Sequence, residues 1–200
     1  MGARFNFPIF LTWMRILAIP LFVGVLYLPD SWISDRTASI TSMWIFIAAA
    51  VTDWLDGYLA RRWNQTTSFG AFLDPVADKL MVAAALIVLT YQGLVDPFAS
   101  LIIIGREITI SALREWMAQV GRSKSVAVNV LGKVKTVSQL IAIPFLLFNG
   151  VLFGWFHTVN VGRWLIWLAA LITLLSMGVY LKAAWASERS AKEGVGPPPG

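Results

Sequence analysis

Six apolar runs, at residues 8–28, 39–61, 73–91, 97–117, 127–149 and 162–183, dominate the sequence. A helix needs about 20 predominantly apolar residues to cross a bilayer. Backbone placed in hydrocarbon must satisfy its own N–H and C=O groups, which a helix does within one segment. The expected fold is therefore all-α, a polytopic membrane protein with six transmembrane helices. The connections carry breakers: Pro29 and Asp30, then "NQTTSFG", "QGLVDP", "GRSKS" and "NGVLFG". Charged residues are only 14% of the chain, against roughly 25% in a soluble domain, so little polar sequence remains to surround a soluble core. Residues 1–186 read as one membrane-embedded domain. Residues 187–200, ending "GVGPPPG", read as a disordered tail.

Lys and Arg set the orientation. Arg4, Arg61, Arg62, Arg114, Arg122, Lys124, Lys182, Arg189 and Lys192 fall at the N-terminus, the second and fourth loops and the tail, whereas the alternate loops hold only Arg36 and Arg163. That asymmetry places both termini in the cytoplasm. The net charge of +5 is then a topology signal with some attraction to anionic lipid, and no soluble basic face for nucleic acid is evident. The opening "MGARFN" has Asn6 where a myristoylation signal wants Ser or Thr, and it lacks the pattern of a cleaved leader, so the first span is expected to be permanent.

Four aspartates lie between the second and third runs. Asp53 and Asp56 are three apart near the cytoplasmic end of one span, and Asp74 and Asp78 are four apart in the first turns of the next. Each pair shares a helix face. At about 1.5 Å rise per residue all four fall within roughly 12 Å of the boundary, and the short loop keeps the two spans adjacent. A charge at mid-bilayer costs about 2.5–3.5 kcal/mol, somewhat less near the interface, and four carboxylates repel one another. Divalent cations would offset both costs. Two helices offering carboxylates to one cavity suit a two-metal site for phosphoryl displacement. With no cysteine and one histidine, His157, any ligand set must be oxygen, which favours Mg²⁺, Mn²⁺ or Ca²⁺. Two plainer readings stand beside this one. Asp74 before Pro75 reads as a helix start, and Gly57 and Ala60 serve either close helix packing or room for a bulky ligand.

Cations sit beside the acids. Arg15, Arg61, Arg106, Arg114, Lys133 and Lys135 lie at or inside the cytoplasmic ends of five spans. Arg106, near mid-span beside Glu107, is either a structural ion pair or part of an anion pocket next to the metals. The residues together point to metal-assisted chemistry on a phosphate ester at the inner leaflet.

The stretch Asp53-x2-Asp56-Gly57-x2-Ala60-Arg61-x8-Gly70-x3-Asp74-x3-Asp78 resembles the signature of the CDP-alcohol phosphatidyltransferase family at every specified position. "FNFPIFLTWMR" is similar to the family's N-terminal Asn-x-Pro-x3-Thr-x2-Arg. "WNQTTSFGAFLDPVADK", "REITISALREWMA" and "SVAVNVLGKVKT" resemble bacterial members that join CDP-diacylglycerol to glycerol 3-phosphate. The resemblance implies that Asp53, Asp56, Asp74 and Asp78 ligate two Mg²⁺ or Mn²⁺ ions on the diphosphate of the CDP-lipid. It implies that Gly57 and Ala60 let the nucleotide lie against the second span, with Gly70 near it and Arg61 on its phosphates. Asp78 is implied as the general base, with a metal-activated acceptor hydroxyl as the competing source of reactivity. A homodimer in the bacterial inner membrane, its active site facing the cytoplasm, is implied as well.

Arg106, Arg114, Lys133 and Lys135 supply charge for a phosphorylated acceptor. Glycerol 3-phosphate and inositol phosphate both qualify on charge, and the resemblance of the flanking stretches selects glycerol 3-phosphate. A cation- or proton-coupled transporter would also keep carboxylates in its spans, but with midplane acids, broken helices and internal repeats. Here the acids cluster toward one face and no repeat is found. A metal-dependent prenyltransferase would show other motifs and more spans, and a plain membrane anchor has no use for so many intramembrane charges.

Overall fold

The structure, a computed structural model, describes residues 7–63, 68–119 and 130–192. Its helices are α1 (Phe7–Leu26), α2 (Asp35–Trp63), α3 (Ser68–Tyr91), α4 (Pro97–Gln119), α5 (Val130–Phe148) and α6 (Thr158–Lys192). The all-α expectation holds, with one helix on each apolar run. A small antiparallel ribbon, β1 (Val151–Leu152) and β2 (Phe156–His157), joins α5 to α6. Strands this short leave no periodicity in the sequence, which is why that segment reads as a plain loop.

Local chemistry explains where the helices begin and end. Ser34 caps α2, its Oγ accepting a 3.3 Å bond from the Thr37 N–H, so the helix starts at Asp35 rather than at 39. Asp96 caps α4 by accepting from the Phe98 N–H at 2.8 Å, with Pro97 as first helical residue. Gly93, at φ 71°, ends α3, and the Leu94 N–H reaches back to the Leu89 carbonyl at 2.9 Å.

Two further differences from the sequence reading bear on the acidic motif and on the tail. The helix α3 begins at Ser68 and carries Pro75 inside it, so Asp74 is not a helix start but lies in the second turn. The helix outruns its apolar stretch because nothing in "SFGAFL" breaks it, and Pro75 is accommodated inside it at the loss of the bond an N–H there would make to the Ala71 carbonyl. At the other end, α6 continues to Lys192, into the segment expected to be a tail. Residues 193–200 lie outside the described residues.

Packing divides the bundle into two groups. The helix α1 lies along both α2 and α3, α6 lies along α5 and α4, and α2 meets α5 between them. The helices α2 and α3 touch each other much less than either touches α1. Phe22, Phe46, Leu86, Leu89, Ile103, Ile143, Leu146 and Ile166 form the buried centre. Leu17, Ile87, Leu101 and Ile108 are each more than 60% exposed on the outside of α1, α3 and α4, an outward apolar surface that suits lipid rather than water. Two segments, Asp35–Leu55 and Thr158–Gly178, are long and apolar enough by themselves to cross a membrane, and Phe10–Leu26 and Val134–Phe148 are shorter apolar stretches.

Candidate active site

Three helices bring the carboxylates together. Thr12 and Arg15, three apart on α1, share the face turned inward, and both are buried. Arg15 Nη1 lies 2.8 Å from Asp53 Oδ1 on α2 and 2.8 Å from Asp78 Oδ1 on α3, so those two oxygens are separated by no more than twice that distance. The Thr12 hydroxyl donates to Asp74 Oδ1 at 2.6 Å. The Arg15 side chain is 1% exposed, whereas those of Asp53 and Asp78 are 39% and 42% exposed. The acids are thus anchored from behind and open in front. Arg15 is thereby a partner of the acids rather than a member of the anion pocket expected from its charge.

Beside this cluster a cavity of about 510 Å³ opens between α3, α4 and α5. Most of its wall is apolar, and its polar lining comes from Asp78, Lys79, Glu107, Ser111, Lys135 and Gln139. Lys79 donates to the Ser111 hydroxyl, which donates in turn to the Glu107 carbonyl at 2.6 Å. Lys135 and Arg106 converge on one oxygen of Glu107, Arg106 at 3.0 Å. Arg106 also donates to the Ser176 hydroxyl on α6 at 3.0 Å. Arg106 therefore braces the α4–α6 contact behind Glu107, while Lys135 lines the cavity itself. A second, smaller space of about 90 Å³, lined by Arg15, Asp53, Asp78 and Thr136 among others, lies at the acid cluster. Asp78 and Thr136 line both spaces.

The other expected site residues divide in two. Gly70 is buried in α3. Asp56, Gly57, Ala60 and Arg61 fall in α2, Arg114 in α4 and Lys133 in α5, but their side chains lie outside the described residues. Lys79, Glu107 and Gln139 were not singled out from sequence as ligand-facing groups. The signal that could have found Gln139 is its spacing of four from Lys135, which puts the two on one helix face.

The donor set suits a hard divalent cation. The carboxylates come from two helices, no thiolate exists in the chain, and Asp53 and Asp78 are near enough to share one guanidinium nitrogen. Among the described residues no three acidic or imidazole groups form a metal-binding cluster, and Asp56, the fourth carboxylate of the motif, is not among them.

With acids on α2 and α3, cations on α4 and α5 and an apolar cleft between, the site has the parts of a lipid phosphotransfer centre. The sequence pattern defining the family described as CDP-alcohol phosphatidyltransferase matches residues 5–176. The chain belongs to that family and is an enzyme of that type. It is 50% identical over 185 residues to a CDP-diacylglycerol–glycerol-3-phosphate 3-phosphatidyltransferase of Shigella flexneri serotype 5b, covering 92% of this chain and 97% of that one. The protein of the same name from Escherichia coli K12 is 49% identical over 92% of this chain and 97% of its own. That of Salmonella paratyphi A is 49% identical over 90% and 96%.

Proposed function

We propose that the protein transfers the phosphatidyl group of CDP-diacylglycerol to glycerol 3-phosphate, giving phosphatidylglycerol phosphate and CMP. The observation that carries this reading is the convergence of Asp53, Asp74 and Asp78 on Thr12 and Arg15, beside a cavity to whose wall Lys79 and Lys135 bring ammonium groups. The names of relatives about half identical over nearly the whole chain support the donor and the acceptor.

Asp53, Asp56, Asp74 and Asp78 would hold two Mg²⁺ or Mn²⁺ ions. When bound, such ions neutralise charge on the diphosphate oxygens of the donor. Arg15 and Thr12 hold the carboxylates in place from the protein side, so the site is formed before substrate arrives. Asp56, Gly57, Ala60, Arg61 and Gly70 form the CDP-lipid subsite along α2 and the start of α3. Asp78, which lines both spaces, takes the proton of the acceptor hydroxyl. The acceptor oxygen then attacks the phosphatidyl phosphorus, its bond to the CMP oxygen breaks, and CMP departs. Holding the hydroxyl against the phosphorus supplies much of the rate by proximity alone.

Acceptor choice follows from charge. Lys79 and Lys135 bring two ammonium groups to the cavity wall, which suit the charge of about −1.5 to −2 on a phosphate monoester near pH 7. Lys135 faces the phosphate, Arg106 supports it through Glu107, and Arg114 and Lys133 add to the same pocket. Inositol phosphate satisfies the charge equally, and the relatives' names favour glycerol 3-phosphate.

The outward apolar surface supports a membrane protein. With six spans and the Lys/Arg distribution, both termini and the site face the cytoplasm, in a bacterial inner membrane and as a homodimer.

The test is CMP release by purified protein in detergent with CDP-diacylglycerol and Mg²⁺. Glycerol 3-phosphate, inositol phosphate, glycerol and no acceptor are compared, with an EDTA control. Release only with glycerol 3-phosphate and metal is the expected result. Release with another acceptor overturns the substrate, and no release from folded protein overturns the reaction.

A further inference from the structure

We infer that Gln139 and Lys79 are ligands of the acceptor's phosphate, Gln139 donating from α5 and Lys79 from α3 into the 510 Å³ cavity that both line. The inference rests on the reading that the acceptor occupies that cavity.

Gln139 is 4% exposed, it lines the cavity, and its Nε2 has no hydrogen-bond partner. Buried amide groups are nearly always paired, and one left unpaired carries a desolvation cost. Its neighbours on α5 are satisfied: Thr136 bonds the Gly132 carbonyl at 3.0 Å and Ser138 the Val134 carbonyl at 2.9 Å. Gln139 is longer and cannot close on its own helix in that way. Its Nε2 is enclosed at the cavity wall, and the broad terminal torsion of a glutamine lets the amide turn to an oxygen that enters the cavity.

The surrounding charge says which oxygen. Lys135 stands one turn before Gln139 on the same face and already has Glu107 as its counter-ion. Lys79 has no carboxylate partner among the described residues and donates to a neutral hydroxyl, Ser111. The cavity thus holds one ammonium hydrogen-bonded to a neutral hydroxyl, with no direct ion pair among the described residues, and one amide donor without an acceptor. A phosphate monoester offers three strong acceptor oxygens and up to two negative charges, and it answers both groups at once. A hydroxyl answers the amide only. Asp78 lines the same cavity, so an acceptor whose phosphate is held here shares its space with a member of the acid cluster.

The test compares wild type with Gln139→Leu and Lys79→Met. Four quantities are read: KM for glycerol 3-phosphate, KM for CDP-diacylglycerol, inhibition by inorganic phosphate and its binding by calorimetry, and the melting temperature without ligand. Loss of a hydrogen bond to a charged oxygen predicts a rise of about tenfold or more in acceptor KM and in the phosphate constants. The KM for CDP-diacylglycerol stays within about twofold. The melting temperature of Gln139→Leu is unchanged or higher, because an unpaired amide is replaced by an apolar group of similar size. A structural glutamine would give the opposite, a lower melting temperature with both KM values disturbed, and that result overturns the inference. So does an unchanged acceptor KM, or a raised acceptor KM with phosphate inhibition untouched, which would assign Gln139 to a hydroxyl. If wild type uses no glycerol 3-phosphate, the proposed reaction fails, while phosphate binding by calorimetry still decides whether these residues form an anion site.

Discussion

Arg15 on α1 and Asp78 on α3, 63 residues apart, are joined at 2.8 Å, and the same guanidinium nitrogen reaches Asp53 on α2 at 2.8 Å. The acidic motif is shared between two helices that scarcely touch, and the helix preceding them holds them together. A cation buried behind half-exposed carboxylates does two things. It lowers the repulsion among acids at a membrane boundary, and it fixes their spacing while leaving their outer oxygens available.

Arg15→Met should therefore reduce turnover far more than it reduces folding. Displacing a reacting group by about 1 Å can cost about a hundredfold, and that loss in kcat is expected. Arg15→Lys should recover part of it, since an ammonium restores the charge but not the forked geometry. CMP release read beside thermal unfolding checks this. Equal losses in both variants, tracking stability alone, would reduce Arg15 to a folding role.

Asp78→Asn should lower turnover by about two to four orders of magnitude, the range for removing a general base, with CDP-lipid binding still detectable by equilibrium titration. Thr12→Val, which removes the 2.6 Å bond to Asp74 without changing charge, should cause a smaller loss. A near-wild-type rate for Asp78→Asn would take the base away from Asp78.

Lys135 and Arg106 carry the same charge but should fail differently. Lys135 lines the cavity, so Lys135→Ala should raise the KM for the acceptor by about tenfold or more, with little change for CDP-diacylglycerol. Arg106 is 8% exposed and is tied to Glu107 and to Ser176. Arg106→Ala removes its bonds to Glu107 and Ser176 while Lys135 still holds Glu107, and should destabilise the protein by roughly 1–3 kcal/mol, which unfolding in detergent reads directly. An acceptor defect without a stability defect would place Arg106 in the cavity after all.

The sequence showed these features unevenly, for physical reasons. Apolar runs of bilayer length dictate helices whatever packs against them, so the all-α fold was legible from the runs alone. Asp53, Asp74 and Asp78 were legible because charge is expensive in such runs and their spacing shares faces. Arg15 was visible as a cation, yet its partners belong to tertiary packing: spacing along α1 does not say which helix lies opposite. Gln139 shares a face with Lys135 by spacing alone, yet that does not mark it out, for a related reason. Its significance is a missing hydrogen bond, and an absence of that kind exists only once the neighbours are placed. The start of α3 was misplaced because hydropathy marks where lipid begins, whereas a helix continues until its backbone is stopped.

The helix pair behind the site makes a last, independent claim. A Cβ added to Gly162 of α6 would lie 2.6 Å from Leu146 Cγ and 3.2 Å from the Ala142 carbonyl oxygen. Both neighbours are fully buried in α5, so neither has space to retreat into. Small residues let helices approach this closely. Gly162→Ala should push α5 from α6 at an overpacking cost of about 1–3 kcal/mol, lowering the melting temperature by several degrees at about 2–4 °C per kcal/mol. Gly178, further along the same helix, has nothing within 4 Å of its added Cβ, and alanine there should gain up to about 1 kcal/mol of helix propensity. The pair makes its own control, since both changes add one methyl to α6 and only the packed position should suffer. Because Lys135 lies on α5, a loosened α5–α6 contact should also weaken acceptor use, and Gly162→Ala with unaltered melting would show that the helices are not pressed together there.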